Sequence, residues 1–160
     1  MKADDVSRDT VHNDSPGLLP PHVAFLCLAL IGLLRLILGR MFFPPAFVAA
    51  GVLVIGVGAF LIIWAALLFR NARTPVRPFR EVAALVTDGP YQFTRNPMYC
   101  GLVLILVGTS LGLQQPAGLL VAAGFAMYLT EHYIKHEEHI LRERFAEAYD
   151  SFCTSSPRWL

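Results

Sequence analysis

Three stretches of the chain carry no charged side chain: residues 15–34, 41–69 and 96–130. A helix rises about 1.5 Å per residue, so a hydrocarbon core of roughly 30 Å needs about 20 apolar residues. The first two stretches each supply one such helix, at approximately 18–39 and 46–69. The third is too long for one span and is interrupted by Gly112, Gln114, Gln115 and Pro116. It is expected to form a helical hairpin with arms at 98–113 and 117–134, both short for a full crossing. The expected fold is therefore all-α: an integral membrane bundle of four transmembrane helices.

Composition agrees. Apolar residues make up 55% of the 160, charged residues only 16%, and the mean hydropathy is +0.52, above the range of a soluble domain. A net charge of +1 argues against nucleic acid as a partner, because binding phosphates needs a clear basic excess. Three cysteines (Cys27, Cys100 and Cys153) without CxxC or Cys/His spacing signal neither a disulfide framework nor a zinc site. Residues 1–17 are polar and end in Ser-Pro-Gly, as a disordered tail would. No small-residue cleavage pattern follows the first apolar stretch, so a cleavable secretory signal is not expected. The remainder, 18–160, is expected to form one domain.

Orientation follows from Lys and Arg. Four spans would place the N-terminus, the central loop 70–97 and the C-terminal segment on one side. Those segments hold Lys2, Arg8, Arg70, Arg73, Arg77, Arg80, Arg95, Lys135, Arg142, Arg144 and Arg158. The opposite side holds Arg40, with Arg35 close enough to snorkel towards it. The imbalance predicts that both termini are cytoplasmic.

Two segments on that side attract attention. The loop 70–97 contains Pro75, Pro78, Pro90 and Pro97, which forbid a continuous helix, and it is long for a protein this economical. After Glu131 the chain turns charged, with no helix breaker before Pro157. Ile134, Leu141, Phe145, Ala148 and Phe152 recur at helical spacing, predicting that the fourth span continues as an amphipathic cytoplasmic helix over 135–153. These features suit a basic loop that contacts anionic lipid and a helix that lies on the membrane surface.

Several residues have chemical potential. Glu137 and Glu138 stand at the predicted membrane boundary, where a carboxylate pair can bind a cation such as an ammonium group. Alternatively they pair with Lys135 or Arg142, Glu138 and Arg142 being at i, i+4. His132, His136 and His139 share one helix face, but HEEH is not the HExxH zinc pattern and only His12 and His22 remain elsewhere, so no metal is expected. Gly56-Val57-Gly58 lies inside a span, where small residues let helices approach closely. The densest string runs from Thr87 through Asp88-Gly89-Pro90-Tyr91 to Arg95-Asn96-Pro97-Met98-Tyr99-Cys100-Gly101. Pro97 suits the first turn of the third span and Asn96 its N-cap, which places Arg95 at a helix N-terminus that favours anions.

In order and spacing these strings resemble the membrane methyltransferases of the isoprenylcysteine carboxyl methyltransferase and phospholipid methyltransferase superfamily. The matching elements are Thr74-Pro75, Thr87 to Tyr91, Arg95 to Gly101, Glu137-Glu138 with Leu141, Phe145 and Tyr149, and Pro157-Arg158. The resemblance implies a helical membrane bundle that holds S-adenosyl-L-methionine between the loop and the C-terminal extension. It assigns Gly89, Tyr91, Arg95, Asn96, Tyr99, Gly101, Glu137 and Glu138 to cofactor binding, with Arg95 and Glu138 also implied in catalysis. Gly56 and Gly58 look like the Gly-x-Gly of the phospholipid enzymes. The prenylcysteine enzymes typically carry His where this chain has Asn96, whereas Asn-Pro-Met-Tyr is closer to the phospholipid N-methyltransferases. The implied activity is methyl transfer to a lipophilic acceptor, most like carboxyl O-methylation of isoprenylcysteine, with phospholipid amine N-methylation as the alternative. A non-catalytic four-helix membrane scaffold is the alternative from another class.

Overall fold

The structure is a computed structural model that describes residues 18–39, 44–71 and 85–160. Residues 1–17, Arg40, the arginines at 73, 77 and 80, and Thr74-Pro75 lie outside the described residues. The described residues form helices and connecting turns, with no strand among them. The helices are α1 (Pro20–Leu38), α2 (Pro45–Asn71), α3 (Pro97–Gly112), α4 (Ala117–Leu129) and α5 (Lys135–Ser155). A 3-10 turn, Gly89–Gln92, precedes α3, and a π-helical turn, Thr130–Ile134, joins α4 to α5.

Helices α1 and α2, with mean hydropathies of 2.2 and 2.8, are each long and apolar enough to cross a membrane. Their outward faces expose large apolar side chains such as Phe25, Leu36, Leu53 and Phe60, an arrangement that water would penalise and lipid would not. Helix α3, with 16 residues, is apolar but shorter. The predicted hairpin turn is present between α3 and α4. Gln114 adopts a left-handed φ of +53° there, and the buried Gln115 amide donates to the Leu34 and Gly39 carbonyls, tying the turn to the end of α1.

Helices α2 and α3 run antiparallel and meet on glycine. A Cβ at Gly58 would lie 2.6 Å from the Gly101 carbonyl oxygen, and one at Gly101 would lie 2.6 Å from that of Gly58. Gly51 and Gly108 repeat this reciprocal contact seven residues away on each helix. The Gly-x-Gly of the sequence is thus split: Gly58 is a packing residue, whereas Gly56 is exposed with nothing within 4 Å of where its Cβ would be. On the other side of α3, Ile31, Leu106, Ala122, Phe125, Leu129, Tyr133 and Ile134 form a core joining α1, α3 and α4.

The path from α4 into α5 differs from the predicted uninterrupted helix in two places. The π turn inserts one residue into the α-helical repeat, and Ala146 leaves helical geometry (φ 41°, ψ −117°). Ile134, Leu141, Phe145 and Phe152 are buried or half-buried as their spacing predicts. Ala148, just past the break at Ala146, is exposed instead, and Tyr149, at helical spacing from Phe145 and Phe152, is buried in its place. The same break brings Arg142 Nε within 3.0 Å of Asp150, eight residues away and about 12 Å along a regular helix.

The glycine seam yields a direct expectation. Gly58→Ala forces its methyl into the α3 backbone and should destabilise the bundle by about 1–3 kcal/mol, as overpacked cores do. Gly56→Ala meets open space and should not destabilise; as the better helix former, alanine should leave stability unchanged or raise it by up to about 1 kcal/mol. Thermal unfolding of the two purified variants in detergent measures the contrast.

Candidate functional site

The site is built where the N-terminus of α3, the start of α5 and residues 156–160 converge. It begins at the 3-10 turn. Gly89 takes φ +61°, a conformation that L side chains rarely adopt, and a Cβ there would press on Leu68 and Trp64 of α2. This lets the chain turn tightly against the end of α2 and sink Tyr91 among Ala65, Tyr149 and Phe152. The Tyr91 ring lies 5.6 Å from that of Phe69. Burial first, and the charge of Glu137 second, push its phenol well above the ordinary range.

Next in sequence come Thr94, Arg95 and Asn96, and then Pro97 at the first turn of α3. Asn96 occupies the N-cap position as predicted, but its side chain caps nothing. Instead Asn96 Nδ2 donates to the Arg158 carbonyl at 3.1 Å, and the Thr94 hydroxyl accepts from the Asn96 backbone N–H. The cap is lost to a longer-range partner: the same Arg158 carbonyl also accepts from Thr94 Oγ1.

Arg95 and the acidic doublet come together. Arg95 Nη1 lies 3.6 Å from Glu138 Oε1 and donates to Cys153 Sγ. Arg158 grips the same carboxylate with two bonds, Nε to Oε1 at 2.8 Å and Nη2 to Oε2 at 2.6 Å. Glu138 is only 8% exposed, so these cations replace its lost hydration. Glu137 turns to α3, where Tyr99 Oη donates to its Oε1 at 2.8 Å. Desolvation raises the Glu137 carboxyl to about 7, although the Tyr99 bond pulls the other way. Arg95 Nε is buried and has no hydrogen-bond partner among the described residues, an orphaned donor beside the doublet.

Pairing of the glutamates with Lys135 or Arg142 is not what forms. Lys135 bonds Glu131 one turn back, while Arg142 bonds Asp150 and lies over the Tyr149 ring. His132, His136 and His139 stand on the exposed side of the helix, His132 stacked on Tyr128 and His139 near Glu143. Gly101, one turn along α3 from the cluster, faces α2. Of the residues assigned by resemblance, Arg95, Asn96, Tyr99, Glu137 and Glu138 share one polar cluster. Gly89 and Tyr91 support it from the side of α2. Arg158 and Cys153 were not among the expected site residues, although both touch its charged atoms. The available signal for Arg158 was its place in the matching Pro157-Arg158 element, to which the resemblance assigns no role.

A sequence profile of the phospholipid methyltransferase family matches residues 46–148, which include Arg95, Tyr99 and both glutamates. Among curated proteins, the chain is 33% identical over 73 residues to protein-S-isoprenylcysteine O-methyltransferase B of Arabidopsis thaliana. That match covers 46% of this chain and 37% of the relative. It is 31% identical over 77 residues to protein-S-isoprenylcysteine O-methyltransferase A of the same plant, covering 48% of this chain and 39% of the relative. The chain thus spans well under half the length of the curated relatives it matches. No solved structure gives a significant match. With the profile extending over more than half of its residues and across the polar cluster, the chain belongs to the phospholipid methyltransferase family.

Proposed function

We propose that this protein is an S-adenosylmethionine-dependent membrane methyltransferase acting on a lipophilic acceptor, most like the carboxyl O-methylation of isoprenylcysteine. The observation that carries this reading is the convergence of Arg95 and Glu138, 3.6 Å apart, with the Tyr99–Glu137 bond beside them. The side chains present suit the donor's amino-acid end: an unpaired guanidinium nitrogen for its carboxylate and a carboxylate for its ammonium. S-adenosylmethionine, when bound, supplies an electrophilic methyl on sulfur. Displacement at that carbon needs alignment more than acid–base help, so the contribution of this chain is to bind and orient. Arg95 would hold a carboxylate, Glu137 an ammonium, and Tyr99 fixes the Glu137 carboxyl. Gly89, Tyr91 and Asn96 shape the walls, while Gly101 acts from the seam with α2 that sets the height of α3.

In the same reading α1 to α4 all cross the membrane, with residues 18–160 as one domain behind the tail 1–17. Both termini, the loop 70–97 and the helix over 135–153 lie in the cytoplasm. The polar donor then enters from water and the acceptor from the bilayer, meeting at the inner boundary. A second reading, phospholipid amine N-methylation, is favoured by the family profile and by Glu137, because a carboxyl raised to about 7 suits accepting a proton from an amine. Labelled methyl appearing in prenylcysteine analogues supports the first reading, and label in phosphatidylethanolamine the second.

Two expectations follow. Calorimetry should show saturable binding of S-adenosylhomocysteine to the purified protein, weakened about tenfold or more by Arg95→Ala or Glu138→Ala, as expected when a charged bond is removed. Absence of binding to the wild-type protein would favour a non-catalytic scaffold. The second concerns pH. A ligand ammonium favours ionised Glu137, so affinity should rise as pH increases through about 7 and level off above it. Without ligand the sign reverses. The folded protein holds the Glu137 proton where the unfolded chain, titrating near 4.5, has lost it, so stability falls as pH rises between those values. Glu137→Gln should flatten both profiles, as read by calorimetry and thermal unfolding from pH 5 to 8.

A further inference from the structure

Residues 156–160 do not trail away from α5. They lie back across the turn before α3, held by bonds from five points. The Ser156 hydroxyl donates to the Tyr91 carbonyl at 2.9 Å, and the Arg95 backbone N–H donates to the Pro157 carbonyl at 2.9 Å. The Arg158 carbonyl accepts from Thr94 Oγ1 and Asn96 Nδ2, each at 3.1 Å. The Arg158 side chain binds Glu138 through two bonds, and Trp159 Nε1 donates to Thr130 Oγ1 at 3.2 Å, on the π turn. Beneath this strap lies Cys100, 3% exposed, its thiol 3.6 Å from Thr94 Oγ1.

The strap changes what each glutamate can do. Glu138 is bonded through both oxygens by Arg158 and has a second guanidinium beside it, so its charge is already compensated and little attraction remains for a cationic ligand. Among the described residues Glu137 accepts from a neutral phenol, that of Tyr99, and keeps acceptor capacity. We propose that Arg158 is a positioning residue that divides the doublet: by claiming Glu138 it turns that carboxylate into a brace for Arg95, and leaves Glu137 as the group that receives a cationic ligand. The inference rests on the methyl-donor reading for the identity of the cation, an ammonium. The brace itself does not depend on it.

The test uses the full-length protein in detergent and two readouts. Maleimide labelling of Cys100, located by mass spectrometry, reports whether the strap is seated and needs no ligand. Arg158→Gln should accelerate it about tenfold, the scale of one lost charge-assisted hydrogen bond. Trp159→Phe, which keeps all the charges, should give a smaller increase, and it provides the readout should Arg158→Gln not fold. Calorimetry with S-adenosylhomocysteine supplies the second readout. Binding should weaken about tenfold in Arg158→Gln and recover to within about threefold in Arg158→Lys, which restores the charge but not the fork. Because Arg158 acts through Glu138, Arg158→Gln combined with Glu138→Gln should bind no more weakly than Glu138→Gln alone. Unchanged Cys100 labelling in both strap variants, or losses that add in the double variant, would overturn the proposal. A wild-type protein that binds no S-adenosylhomocysteine would sink the donor reading instead, and the Cys100 labelling would still decide on the strap.

Discussion

A carboxylate with 8% exposure, placed beside an apolar bundle, organises this end of the molecule. Taking such an ion out of water costs several kcal/mol unless opposite charge and hydrogen bonds are supplied. Glu138 obtains them from Arg158, which follows α5, and from Arg95, which precedes α3. Three segments remote in sequence are thereby bound to one point. The rest of the corner follows: the strap must return over the α3 N-terminus to deliver Arg158, and in doing so it takes the Asn96 side chain away from capping. Removing either arginine would leave the carboxylate short of partners while the walls around it stayed in place.

The doublet reaches this point because of the π turn. Adjacent residues of a regular α-helix are about 100° apart, so a helix continuing from Phe125 and Leu129 would direct His132 and His136 into the bundle and Glu138 and Leu141 away from it. One inserted residue at 130–134 rotates everything after it by about 100°, which brings Ile134, Glu137, Glu138 and Leu141 to the inner face and leaves the histidines outside. The face of α5 that joins the polar cluster is therefore set by a local defect in the helix before it. The glycine seam has a matching role for α3. With α2 and α3 in backbone contact at Gly58 and Gly101, the first turn of α3 has a fixed height beside Tyr91 and Gly89, which rest on α2.

These two devices explain what could be foreseen from the sequence. Helix positions came from charge-free runs and from Pro97 and Pro116, signals that are local and strong, and their ends fall within a few residues of expectation. The convergence of Arg95 with Glu138 was legible only through resemblance, because nothing local relates positions 43 residues apart. The π turn left no mark: no Pro or Gly lies within Thr130–Ile134, and the burial of Tyr133 and Ile134 with residues of α1 and α3 is a tertiary feature that no local signal announces. Ala146 is equally silent, since alanine is the residue least expected at a break in a helix. Arg142 and Lys135 were natural partners for the glutamates by spacing, yet both found partners on the exposed side once the helix had rotated.

The charges of the finished cluster restrict what it can accept. Arg95 and Arg158 bring two positive charges and Glu138 one negative, while Glu137 gains its charge only near pH 7. A simple anion would satisfy the free nitrogen of Arg95 but leave the neighbouring Glu137 repelled or protonated. A simple cation would suit Glu137 but meet two guanidiniums close by. A group carrying both charges, such as an amino-acid end, satisfies both and leaves the net charge of the desolvated corner unchanged, so neither new charge is buried without a partner. On the reading proposed above, selection for such a zwitterion would require that Glu138 not compete for the ammonium, and the bond from Arg158 would meet that condition.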